Sequence, residues 1–159
     1  MKKILFLILA IAFISMPVFA EETIIAHGKN PQGKSFFPYT GLVSKKDSGW
    51  QNSGIDNGVF EIAVSNGNLD VRYIDASKRI KSALEEGGKV MILNKGNNEV
   101  SVFVVYPAET IEVYTFYIDK DGKKKFIFTQ VKSGENALIT SSSIFTGSCD
   151  FIYFDKFPE

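Results

Sequence analysis

The residues Gly28-Lys29-Asn30-Pro31-Gln32-Gly33-Lys34-Ser35 match a phosphate-binding loop, Gly-x-x-x-x-Gly-Lys-Ser, letter for letter. Such a loop works because a buried parallel strand precedes it and a helix follows, so that backbone N–H groups converge on an anion. Here only a short segment precedes it, and Phe36-Phe37-Pro38 stands where the helix should begin. The match is therefore read as coincidence. A second stretch, Asp119-Lys120-Asp121-Gly122, opens like a calcium loop. A calcium loop alternates several oxygen ligands before its glycine and ends on a glutamate. Lys123, Lys124 and Lys125 follow instead, and no carboxylate returns until Glu135. An Asp-Gly hairpin turn with lysines at its tip accounts for the same residues, and no metal site is predicted.

Nucleophiles are scarce. His27 is the one histidine and Cys149 the one cysteine, and no Gly-x-Ser-x-Gly elbow is present. Phe145, Phe151, Tyr153 and Phe154 surround Cys149 in sequence, an apolar setting that makes a thiol a small inert hydrophobe. A lone cysteine also excludes an internal disulfide, so burial alone must hold the fold. Glu61, Asp70, Asp75 and Glu112 are carboxylates on predicted strands. Asp70 and Arg72 are two residues apart and are expected to form a solvent-face ion pair of little energetic weight. These residues predict no catalytic set and no cofactor; an enzyme, specifically a hydrolase of unrecognised type, is the least favoured class.

The elements that must position any site are strands. Segments 59–65, 68–75, 88–94, 99–106, 110–119, 123–131, 137–145 and 149–155 are rich in Val, Ile, Phe, Tyr and Thr, which suit a pleated, half-buried surface. Asn66-Gly67, Gly87-Gly88, Asp121-Gly122, Ser133-Gly134 and Gly147-Ser148 separate them as turns. Residues 77–86 have apolar spacing compatible with a helix, but Lys78, Arg79 and Lys81 sit at its N-terminal end and Glu85 and Glu86 at its C-terminal end. That order opposes the helix dipole, so a strand pairing with 68–75 is predicted. Residues 23–26 are a short strand candidate. The segment 28–58 reads as loop-rich, with a possible edge strand at Phe36-Phe37-Pro38-Tyr39, since Pro38 cannot donate to a central ladder. The predicted fold class is all-β: an antiparallel meander of about 8–10 strands forming a flattened β-barrel or two-sheet β-sandwich.

Residues 1–20 read as a cleaved secretory signal peptide: Met1-Lys2-Lys3, an apolar run over 4–14, Pro17, then Val18-Phe19-Ala20 before the cut. The run is shorter than the roughly 20 residues a spanning helix needs, and no transmembrane anchor is expected after cleavage. The mature chain, 21–159, is expected to be one domain, periplasmic or extracellular. It carries 16 basic and 18 acidic side chains, a net charge of −2, which offers no electrostatic basis for binding nucleic acid. Phe36, Phe37, Tyr39 and Trp50 are the candidate partner-binding residues, because aromatic anchors on loops can carry binding energy. The favoured function is a non-enzymatic binding protein that docks a protein or envelope partner through loops or a sheet edge. The alternative is a carrier of a small apolar ligand in a barrel cavity.

Overall fold

In a computed structural model, residues 22–74 and 78–159 are described; the predicted signal peptide and the candidate carboxylate Asp75 lie outside them. Ten strands form: β1 (Thr23–Phe37), β2 (Gly49–Gly54), β3 (Val59–Ser65), β4 (Asn68–Ile74), β5 (Ile80–Ser82), β6 (Lys89–Lys95), β7 (Glu99–Tyr106), β8 (Thr110–Ile118), β9 (Lys124–Lys132) and β10 (Ser141–Ile152). They make one antiparallel sheet in the order β5-β4-β3-β1-β10-β9-β8-β7-β6, with β2 paired to β1 beyond the end of β3. The all-β prediction holds, and its form is a single sheet curled into a half-barrel. Two meanders, β3 to β5 and β6 to β10, meet on the long N-terminal strand β1.

The hairpins follow the turn chemistry. Asn66 and Gly67 both have positive φ, 52° and 75°, which suits the tight turn joining β3 to β4. At the β8–β9 turn the Asp119 carboxylate accepts from the backbone N–H groups of Asp121 and Lys123, each at 2.9 Å. Lys125 Nζ lies 2.7 Å from its other oxygen. These contacts hold the Asp119 carboxyl below the usual carboxylate range, the Lys125 bond contributing most. The residues that resemble a calcium loop are a side-chain-capped hairpin.

Several expectations are corrected. The segment 28–58 holds strand as well as loop: β1 runs unbroken to Phe37, and Gly49–Gly54 is β2. Phe36 lies on an internal strand, paired with Ser142 on one side and Trp50 on the other, with the strand ending just before Pro38. The phosphate-loop letters therefore fall within strand β1, across a bulge where Asn30 has a φ of 54°. Gly33 is there because a Cβ would lie 1.9 Å from the Ile144 carbonyl oxygen, so β1 and β10 can approach only without a side chain. Gly147-Ser148 is no turn either; β10 passes straight through it. Residues 137–140 precede β10 rather than belonging to it, and in 77–86 only Ile80–Ser82 is strand.

The inward faces stack in rows across paired strands. Val100, Phe116, Phe126 and Gly147 form one row; Val102, Tyr114, Phe128 and Phe145 form the next. Their aromatic rings pack closely: Tyr114 and Phe128 stack at 4.6 Å, and Phe60 meets Phe126 edge-on at 5.6 Å. Burying each such ring stabilises by about 1.5–3 kcal/mol. Phe126 lies flat over β1 and β10, where Cβ atoms on Gly28 and Gly147 would fall 2.7 and 2.4 Å from its ring. Strands β4 and β6 approach across the open side without pairing. There Phe157 is buried, and Lys95 Nζ donates to its carbonyl at 2.7 Å.

Gly147→Ala is expected to force Phe126 off the sheet, since the new methyl would also crowd the Lys29 carbonyl at 2.5 Å. The cost should be about 1–3 kcal/mol, read as a lowered urea midpoint. An unchanged midpoint would mean that the ring can move aside freely.

Candidate functional site

The aromatic rows give way to polar ones at one end of the half-barrel. Next after Val102, Tyr114, Phe128 and Phe145 come Val104, Glu112, Gln130 and Ser143, and beyond those Tyr106, Thr110, Lys132 and Ser141. Because side chains alternate faces along a strand, every one of these points inward. The result is a cleft of about 1080 Å³ with aromatic rings as its floor and polar groups on its walls. Its opposite wall comes from β4, β5 and the turn after β5, through Tyr73, Lys81 and Glu86 respectively, and from the turn after β2, through Ile55 and Asp56.

Glu112 is the deepest charged group, only 6% exposed. Tyr114 donates its hydroxyl to one carboxylate oxygen at 2.8 Å, and Gln130 donates its amide to the other at 2.6 Å. Desolvation outweighs these bonds and the more distant Lys132 charge, so the Glu112 carboxyl titrates above the usual range. Both hydrogen-bonding partners are neutral, and among the described residues no ammonium or guanidinium group forms an ion pair with Glu112. Burial, reinforced by the nearby Glu112 charge, keeps the Tyr114 phenol protonated.

Two further tyrosines flank this carboxylate. Tyr73 donates to Glu86, which also accepts from Lys81 Nζ at 2.7 Å. The Tyr106 hydroxyl is buried and makes no well-formed hydrogen bond among the described residues, although Tyr73 is close enough to influence its ionisation. Burial comes first among the causes that push both phenols up, followed by the Glu86 hydrogen bond for Tyr73 and the Glu112 charge for Tyr106. Gly88 sets the Tyr106 ring in place: a Cβ there would sit 2.9 Å from ring carbon Cε1 and 2.8 Å from the Ala83 carbonyl.

The aromatic residues singled out from sequence lie elsewhere. Phe36 and Trp50 are cross-strand neighbours on the outer face, with ring centroids 5.4 Å apart. Trp50 is 64% exposed, and Lys34 and Ile144 border the same shallow groove. Tyr39, 65% exposed, sits in the turn after β1. Phe37 alternates to the opposite face from Phe36 and is half-buried, so Phe36 and Trp50 are brought together and Phe37 is not.

The other chemical candidates do not assemble. Cys149 is paired in register with Gly28 and packs against the core, where burial pushes its thiol up to about 12. His27 faces the outer side, stacked on Phe151 at 5.8 Å, with Nδ1 3.1 Å from Asp150 and Nε2 3.7 Å from Glu61. The expected Asp70–Arg72 pair is not made. Arg72 instead donates to Glu22 at 2.8 Å, and Asp70 accepts from Ser82 Oγ at 2.6 Å and from the Leu84 N–H. Comparison with known protein families, characterised proteins and solved structures finds no match.

Sequence reading named Glu112 as a carboxylate but missed its setting. The available signal was a pattern shared by three strands. At inward positions β8 reads Thr-Glu-Tyr-Phe, β9 Phe-Phe-Gln-Lys and β10 Ser-Ser-Phe-Gly. Aligned as antiparallel neighbours, their polar members fall at one end.

Ionised Glu112 costs stability, because its folded-state pKa lies above the ordinary one. This cost is present above the raised pKa and is relieved as pH falls toward the ordinary Glu range of about 4.3. Asp119 and Asp150, whose pKa values are lowered, contribute with the opposite sign. Glu112→Gln should therefore raise the melting temperature at pH 7 more than at pH 5, compared with wild type at each pH. An equal shift at both would show that the carboxylate carries no such penalty.

Proposed function

We propose that this chain is an extracytoplasmic, non-enzymatic binding protein whose end cleft takes a small ligand. The observation that carries this reading is the polar row set on an aromatic floor. An inward-facing carboxylate and a buried hydroxyl with no well-formed hydrogen bond among the described residues are costly in a core that serves folding alone. A concave site with an apolar floor and a few convergent polar groups is the usual form of a ligand pocket. The ligand sits at the mouth, because Phe116, Phe126 and their neighbours fill the interior below it. The signal-peptide pattern supports placement in the periplasm or outside the cell. A panel of neutral, anionic and cationic compounds of up to about 15 heavy atoms, followed by NMR on the mature chain, tests the reading. Shifts centred on Tyr73, Tyr106, Glu112 and Phe128 are expected. A panel that leaves those signals unmoved would sink it.

A second reading, docking of a protein or envelope partner, is favoured by the exposed Phe36–Trp50 pair beside Ile144. Trp50→Ala should then weaken capture of an envelope protein by at least tenfold while the melting temperature stays within about 2 °C. Loss of the fold instead would make Trp50 a structural cover for the β1–β2 ladder.

A further inference from the structure

We infer that the ligand of the end cleft is an organic ammonium ion with an aromatic or apolar body. This rests on the reading of the cleft as a ligand site and assigns the chemical class.

The charge in the cleft is one-sided. Among the described residues four carboxylates line it, Asp56, Glu86, Glu109 and Glu112, against two ammonium groups, Lys81 and Lys132, a formal excess of two negative charges. Lys81 is engaged with Glu86 at 2.7 Å. Glu112 lies deepest, and among the described residues its hydrogen-bond partners are the neutral Tyr114 hydroxyl and Gln130 amide. A buried carboxylate that forms no ion pair, with the Lys132 charge acting only from a distance, favours an incoming cation and repels an anion. A neutral guest would cover Glu112 and leave its charge unmet, which adds desolvation cost rather than removing it.

The surroundings suit a soft, N–H-bearing cation. The rings of Phe60, Tyr114 and Phe128 lie at the cleft floor, and those of Tyr73 and Tyr106 at its wall. Aromatic faces attract an organic ammonium through their quadrupoles, most strongly where water is excluded. The buried Tyr106 hydroxyl makes no well-formed hydrogen bond among the described residues, although Tyr73 lies close to it, and its phenol stays neutral. An ammonium N–H directed at Glu112 and Tyr106 would satisfy both, while the apolar body lies along the Phe60–Phe128 edge. A hydrated metal ion would use none of these rings, and the cleft offers more space than one requires.

Three probes of nearly equal size separate the classes: 2-phenylethylammonium, 2-phenylethanol and phenylacetate, titrated into the mature chain and followed by calorimetry and by shifts of the cleft signals. The amine is expected to bind at least about tenfold more tightly than the alcohol, and phenylacetate more weakly than either. Glu112→Gln should abolish the preference of amine over alcohol while leaving the protein folded. Tyr106→Phe should weaken the amine by about threefold or more and leave the alcohol unaffected. If the alcohol or phenylacetate binds as tightly as the amine, the cation assignment fails and the cleft stands as a ligand site. The same holds if the three probes leave the cleft unmoved while other members of the broader panel shift it. If the whole panel leaves it unmoved, both readings fall together.

Discussion

The pairing of β1 with β10 is the constraint on which the fold depends. It joins the first strand of the domain to the last, and it links the β3–β5 meander to the β6–β10 meander. No short turn can enforce a contact between strands so far apart in sequence, so side-chain complementarity must. Gly28, Gly33 and Gly147 provide it by omission. Gly33 lets the two backbones meet, and Gly28 and Gly147 leave a shallow bed in which the Phe126 ring lies. Glycine weakens a strand when nothing fills the vacated space. Here Phe126 fills it and packs in turn on Phe60 and Phe116. Register shifts in β1 near His27 and between Lys29 and Gln32 bend the strand at this place, as bulges do, and help curl the sheet around the ring.

Once that pairing is fixed, the inward rows of β8, β9 and β10 are locked in register. The site follows from the same register as the core. Glu112 and Gln130 face one another because Tyr114 faces Phe128 two residues away. A slip of one residue would put Glu112 outside and Ile111 inside. The carboxylate is thus held rigidly by the packing that stabilises the domain, an arrangement that preorganises a binding group without a dedicated loop. It also concentrates unfavourable electrostatics at one end of the barrel, where Glu112 raises the ionisation cost of Tyr106 and Tyr114.

The outer face is less polar than alternation with a wet surface would require. Ile111 and Val131 are cross-strand partners there and Ile144 lies diagonal to Val131, each more than a third exposed. Strand 110–119, apolar on both sides, reads in sequence as one that needs a cover over each face. Among the described residues only the inner face is covered. Val113 and Thr115 are instead half-shielded by their neighbours within the sheet, Phe103 and Thr129 beside Val113 and Ser101 and Ile127 beside Thr115. Lateral shielding of this kind uses β-branched and aromatic pairs across strands, and it explains the composition without a second layer.

Local chemistry made much of the architecture legible. Alternating β-branched and aromatic residues identified β3, β4, β6, β7, β8 and β9 to within a residue or so, and Asn-Gly and Asp-Gly located their hairpins, because period-two burial and positive φ are properties of a few consecutive residues. The same local logic failed at Gly147-Ser148, read as a turn, and in 28–58, read mostly as loop. Those glycines answer to partners distant in sequence: the Ile144 carbonyl and the Phe126 ring. The site was hidden for the same reason. Glu112, Tyr106 and Gln130 are each unremarkable residues on separate strands, and only inter-strand register puts them in one cleft. By itself the sequence determined the all-β class, the hairpins and the near-neutral charge, since these depend on neighbours along the chain. The tertiary structure alone decided which strand meets which, that Phe36 and Trp50 lie apart from the cleft, and that a carboxylate stands buried among aromatic rings, since these depend on the long-range closure of β1 against β10.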